Sequence, residues 1–253
     1  MIDVVATLRA AGCVFAEDEA RLLLDAAATP AELDGLVRRR VAGEPLEVIV
    51  GWAEFRGHRV LVDAGVFVPR QRSVFLVENA VALAGPGAVV LDLCCGAGAL
   101  GLAVAAEVEG AQLHAADIEP AAVACARRNL AGRGRVYEGD LFGPVPETLR
   151  GTVDVLVVNA PYVPTDEIAL MPPEARDHEP LVALDGGSDG VDVHRRVAAA
   201  APGWLAPGGH LLIETSEHQA PLTAAAMTEH GLVARVTTSD DYYCTVVIGT
   251  KPV

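Results

Sequence analysis

Val89-Val90-Leu91-Asp92-Leu93-Cys94-Cys95-Gly96-Ala97-Gly98-Ala99-Leu100-Gly101 joins a short apolar run to a glycine-rich turn and then to an alanine- and leucine-rich segment. The run, Val89 to Leu93, reads as a buried strand and Gly98 to Ala106 as the helix after it. Glycines in such a turn let the backbone approach a ligand closely, and the helix N-terminus offers free amides. The alternation continues outward. Gln112 to Asp117, Arg135 to Glu138, Val153 to Val158 and Gly209 to Glu214 read as strands, as do Leu232 to Thr237 and Tyr243 to Ile248. Pro120 to Leu130, Val193 to Ala201 and Ala220 to His230 read as helices between them. Strands alternating with helices predict an α/β fold, a doubly wound sheet that binds ligands at the carboxyl ends of its strands.

Upstream the pattern differs. Asp3 to Ala11, Ala16 to Ala28 and Ala31 to Val41 read as three short helices, with Thr29-Pro30 as a stop and restart signal. Gly43-Glu44-Pro45 breaks the series. Trp52 to Phe55 and His58 to Val62 then flank Arg56-Gly57 as a β-hairpin. The predicted organisation is a small helical domain over 1–50, a hairpin linker over 51–72 and the α/β domain over 73–253.

Composition narrows the function. The 253 residues are 51% hydrophobic, ample for a sizeable core, yet no apolar run reaches membrane-spanning length. Met1-Ile2-Asp3-Val4 lacks a basic leader region, so a soluble cytoplasmic protein is expected. The five cysteines show no paired CxxC spacing, and Cys94-Cys95 has no neighbouring ligands at zinc spacing, so no metal site is expected. A formal net charge of −15 argues against nucleic acid as the direct substrate. Arg38-Arg39-Arg40, Arg127-Arg128 and Arg195-Arg196 read as solvated helix faces or helix-end charges.

Two acids mark the ligand of the glycine-rich turn. Asp117 ends the next strand about 20 residues on, where a carboxylate takes ribose hydroxyls. Asp140, followed by Leu141, closes the strand after that and is placed to accept from an adenine amino group. The turn lacks the GxGxxG spacing that seats a pyrophosphate, and acidic surroundings suit a sulfonium cation. S-adenosylmethionine is therefore the expected cofactor. Its expected contacts are Cys94, Cys95, Gly96, Ala97, Gly98, Asp117, Asp140, Leu141 and Asn159.

Asn159-Ala160-Pro161-Tyr162 follows the fourth strand of the α/β series. Alone, the tetrapeptide reads as a strand stopping at a proline. Beside a sulfonium site it reads as a clasp for a planar NH2. The Asn159 side-chain oxygen and the Ala160 carbonyl accept its two hydrogens, Pro161 keeps Ala160 extended, and the Tyr162 ring lies on the flat group. These four are the candidate catalytic residues.

Together these segments resemble the HemK/PrmC family of protein glutamine N5-methyltransferases, over nearly the whole chain. The likeness takes in Arg40 to Leu46, Gly51 to Gly57, Val66-Phe67-Val68-Pro69-Arg70, Asp92 to Gly98, Asp117, Asp140-Leu141-Phe142 and Asn159 to Tyr162. Glu179 to Gly187 and Pro207 to Glu214 complete it. The resemblance implies a Rossmann-like class I S-adenosylmethionine-dependent methyltransferase with a seven-stranded mixed sheet. It also implies a protein substrate with an exposed glutamine, such as the Gly-Gly-Gln loop of a peptide chain release factor. Four departures stand out: Ala160 for the motif's first proline, Cys94 for the first glycine, Gln71-Arg72-Ser73-Val74 for Pro-Glu-Thr-Glu, and a shorter helical part. Adenine N6-methylation of nucleic acid, methylation of a small-molecule amine and a non-catalytic cofactor-binding module stay open as alternatives.

Overall fold

The computed structural model describes residues 3–253, so Met1 and Ile2, where the leader reading begins, lie outside them. The chain opens with four helices, α1 (Val4–Ala10), α2 (Ala16–Ala26), α3 (Pro30–Val41) and α4 (Leu46–Val50). Asp3 caps α1 by accepting from the Ala6 amide at 3.0 Å; Thr29 caps α3 ahead of Pro30. Leu8, Leu23, Val37 and Ile49 bury themselves in a core of their own. The break at Gly43-Glu44-Pro45 hides α4, whose one buried side chain, Ile49, joins that core.

Strands β1 (Trp52–Phe55) and β2 (His58–Leu61) form the hairpin, Phe55 opposite His58. Arg56 (φ 49°) and Gly57 (φ 77°) both take the left-handed conformation that a two-residue turn requires.

The rest of the chain is one layered α/β unit. It comprises α5 (Val74–Leu83), β3 (Val89–Leu93), α6 (Ala99–Glu107), β4 (Gln112–Asp117), α7 (Pro120–Asn129), β5 (Gly134–Glu138) and β6 (Val153–Val158). It continues with α8 (Pro173–His178), α9 (Asp192–Ala200), β7 (Leu205–Thr215), α10 (Ala220–Glu229), β8 (Val233–Ser239) and β9 (Cys244–Thr250). The seven strands run in the order β5-β4-β3-β6-β7-β9-β8. Strands β5 to β7 pair in parallel and β9 is antiparallel to both neighbours, a mixed sheet as the family resemblance implies. Leu91, Leu93, Leu156 and Val158 pack on one face, Val90, Val155 and Val157 on the other, which is why these strands read as unbroken apolar runs.

Chain order reverses between β3 and β6, and there the site forms. Leu93 pairs with Ala116 on one side and with Val158 on the other, so Cys94, Asp117 and Asn159 leave the sheet at one level. The hairpin is clipped to this edge by Asn129 at the end of α7. Its Oδ1 accepts from the Leu61 amide at 2.9 Å, and its Nδ2 donates to the carbonyls of Leu61 (2.9 Å) and Ala97 (2.8 Å).

Two expectations need correction. Arg40 is no solvated charge: its side chain is 12% exposed, and it pairs with Glu19 of α2 at 2.6 Å and Glu174 of α8 at 3.3 Å. Strand β7 begins earlier than Gly209, at Leu205, with a bulge against β6. A Cβ at Gly209 would stand 2.6 Å from the Val153 carbonyl, so the glycine permits that approach. Of the two tryptophans, Trp204 is buried against Phe142, whereas Trp52 is partly exposed beneath the Arg59 guanidinium.

Candidate active site

A cavity of about 620 Å³ opens where the carboxyl ends of β3, β4 and β6 meet. Every candidate residue of the sequence reading lines it except Gly98, which lies directly beneath as the residue preceding α6. That volume suits a nucleoside-sized ligand together with the side chain it modifies.

The glycine-rich turn builds one end of the cavity. Gly96 (φ 53°) and Gly98 (φ 80°) are left-handed, and Gly98 brings no side chain to cap α6, so the helix start keeps amides for a ligand. Cys94 (φ 55°) and Leu141 (φ 47°) take the same conformation without a glycine's freedom, and both line the cavity. Burial pushes the Cys94 thiol well up, so it stays protonated and acts as a small apolar wall.

Asp117 organises the turn as well as facing the cavity. One carboxylate oxygen accepts from the Gly96 amide at 2.8 Å and the other from the Glu119 amide at 2.9 Å, which leaves lone pairs on each. Asp140 forms a salt bridge with Arg196 of α9 at the cavity wall. Behind the turn, Asp92 is fully buried and accepts from the Gly101 amide at 2.8 Å; desolvation lifts its pKa to about 7. The residues present fit a sulfonium donor. Ala99 and Leu100 of the helix start line one end, and no salt bridge among the described residues takes up Asp117 or Glu119 beside them.

The turn after β6 builds the other end of the cavity. Asn159 Nδ2 donates to Ser73 Oγ at 3.3 Å, an orientation that leaves its Oδ1 uncommitted. Ala160 is buried ahead of Pro161, and both line the cavity with Tyr162. Tyr162 is held at three points. Gln219 Nε2 donates to its carbonyl at 2.8 Å, Arg72 Nη2 donates to its phenol oxygen at 2.6 Å, and a Cβ on Gly186 would stand 2.7 Å from its Cα. Burial pushes the phenol up to about 12, so it stays protonated.

Arg72 joins Glu214 to Tyr162, its Nε donating to Glu214 Oε1 at 3.0 Å. Gln219 reads in the sequence only as an ordinary helix start. The segment after α8 lines the cavity through Glu179, Pro180 and Val182 to Leu184, whereas Asp177 pairs with Arg176. Glu179 is buried and accepts from Arg70 at 2.6 Å and from the Val68 amide at 3.2 Å. Phe67, beneath the Arg70 guanidinium, completes the mouth.

The sequence profile of the methyltransferase small domain matches residues 58–171. The chain is 37% identical over 220 residues to the release factor glutamine methyltransferase of Geobacter sulfurreducens, covering 86% of this chain and 76% of that one. It is 39% identical over 191 residues to the 4-amino-L-phenylalanine/4-methylamino-L-phenylalanine methyltransferase of Streptomyces pristinaespiralis, covering 72% and 65%. A crystal structure of a methyltransferase from Pyrococcus furiosus shares the fold, with a TM-score of 0.54 at 17% identity over 72% of this chain and 82% of that one. At 37% identity to that first relative over most of its length, the chain belongs to the HemK/PrmC family of S-adenosylmethionine-dependent glutamine methyltransferases.

Proposed function

We propose that the chain methylates the side-chain amide nitrogen of a glutamine in a protein, such as the Gly-Gly-Gln loop of a peptide chain release factor. The observation that carries this reading is the Asn159–Ser73 hydrogen bond, which occupies Nδ2 and leaves Oδ1 free on a residue that lines the cavity. Oδ1 and the Ala160 carbonyl then accept the two hydrogens of the acceptor NH2, while the Tyr162 ring supports its plane. An amide nitrogen is a poor nucleophile because its lone pair is delocalised. Two fixed acceptors favour the positive charge that develops on it, and alignment supplies much of the rest. S-adenosylmethionine supplies an electrophilic methyl group at this end of the cavity. The methylated nitrogen loses its proton to water, so no side chain need act as a base.

Charge placement agrees with a neutral acceptor. At that end Arg70 pairs with Glu179 and Arg72 with Glu214, so neither sign is left over. Mass spectrometry of release factors from cells with and without the chain tests the proposal: methylated glutamine is expected only when the chain is present. A second reading, transfer to an aromatic amine on a small molecule, is favoured by the 39% identical relative. Incubation with 4-aminophenylalanine in place of the protein distinguishes the two.

A further inference from the structure

Arg72 stands just before α5, where the family usually has an acid. Its guanidinium spans two elements, donating through Nε to Glu214 at the end of β7 and through Nη2 to the Tyr162 phenol oxygen. Its carbon lies 5.9 Å from the centre of the Tyr162 ring. A lone cation beside the acceptor would oppose positive charge growing on the nitrogen. Glu214, whose side chain is 1% exposed, offsets that charge from beneath.

What Arg72 leaves at the site is therefore geometry. The main chain of Tyr162 is already held by Gln219 and by the close approach of Gly186, which leaves the ring only its side-chain rotations. A planar fork anchored on a buried carboxylate fixes the phenol oxygen, and with it the tilt of the ring. A lysine, a single point charge on a flexible stem, cannot make both contacts in one plane.

We propose that Arg72 is a positioning residue that, anchored by Glu214, sets the ring plane of Tyr162 against the acceptor group. The inference rests on the reading of Asn159 to Tyr162 as the acceptor clasp.

The test is a double-mutant cycle in single-turnover transfer from S-adenosylmethionine to a Gly-Gly-Gln peptide, using the full chain. Arg72→Met and Tyr162→Phe are each expected to slow transfer about tenfold, with the donor dissociation constant unchanged. The double variant is expected to be no slower than the worse single one, because both remove the same contact. Losses that multiply would overturn the proposal, as would full activity in Arg72→Lys. Arg72→Met leaves Glu214 buried without its partner, so the cycle is repeated with Arg72→Met/Glu214→Gln in place of Arg72→Met, which removes the anchor together with the residue it holds. The Raman tyrosine doublet, taken as wild type minus Tyr162→Phe, reports the phenol's hydrogen bonding without any acceptor. Arg72→Met is expected to change it, and an unchanged doublet overturns the proposal. A wild-type chain that transfers nothing to the peptide but methylates 4-aminophenylalanine refutes the glutamine reading alone, and the cycle is then read on that amine.

Discussion

Gln219, the residue preceding α10, donates its side-chain amide to the carbonyl of Tyr162 at 2.8 Å and to that of Asp189 at 3.0 Å. The bond closes a span of 57 residues and fixes the backbone of the turn after β6. Its path runs past Gly190, where an added Cβ would stand 2.1 Å from Gln219 Nε2 and 2.3 Å from the Tyr162 oxygen. Gly190→Ala is therefore expected to lower stability by about 2–4 kcal/mol, combining left-handed strain with overpacking. Gly132, equally left-handed at φ 74° but with open space around it, is the control. Its alanine variant should lose only the backbone part, roughly 1 kcal/mol in urea denaturation. Equal losses at the two glycines would refute the role given to the clamp.

The Ser73 hydroxyl orients Asn159. Asn159→Ala is expected to reduce single-turnover transfer by about 100- to 1,000-fold, the range for losing a fixed electrostatic partner of the transition state. Ser73→Ala keeps the acceptor and loses only its orientation, for a fall of about tenfold. Calorimetric titration with S-adenosylhomocysteine should show donor affinity unchanged in both. If donor affinity falls in step with the rate, the two residues belong to the other end of the cavity.

Cys94 carries a left-handed backbone where glycine would be free of strain. Cys94→Gly is expected to stabilise the chain by about 1 kcal/mol, less the extra freedom of glycine in the unfolded state. It should also tighten S-adenosylhomocysteine binding severalfold by clearing the thiol from the donor wall. Weaker binding would show instead that the sulfur packs productively against the ligand.

Asp92 makes stability depend on pH in an unusual direction. Its folded pKa, raised to about 7, exceeds that of the unfolded chain, so the folded state prefers the protonated acid. The stabilisation is full below about pH 4 and is lost as pH rises through about 7, amounting to a few kcal/mol. Asp92→Asn cannot ionise. Wild type should therefore lose stability relative to Asp92→Asn between pH 4.5 and 8 in urea denaturation, and parallel midpoints across that window would exclude the effect.

Much of this was legible in the chain because periodicity and turn chemistry are local. The strand before Cys94 and the hairpin at Arg56-Gly57 follow from residues a few positions apart. The left-handed pair at Arg56-Gly57 could be anticipated from its glycine. The interactions that sharpen the site could not. Arg72 reads as a reversed charge, but its partner Glu214 lies 142 residues away, and no spacing rule connects them. Arg40 reads as one of three surface arginines until α2 and α8 close over it. Asp140 fits an adenine contact by position, yet its salt bridge depends on where α9 sets Arg196. Packing decides such cases.

Asn129 gives the hairpin a part in events it does not touch directly. One side chain bonds both the amide and the carbonyl of Leu61 and also the carbonyl of Ala97, so loosening at the glycine-rich turn is felt in β2. Deuterium uptake at the Leu61 amide should slow when S-adenosylhomocysteine stiffens that turn. A peripheral ribbon then serves as a gauge of whether the enzyme is loaded, readable without following any methyl group.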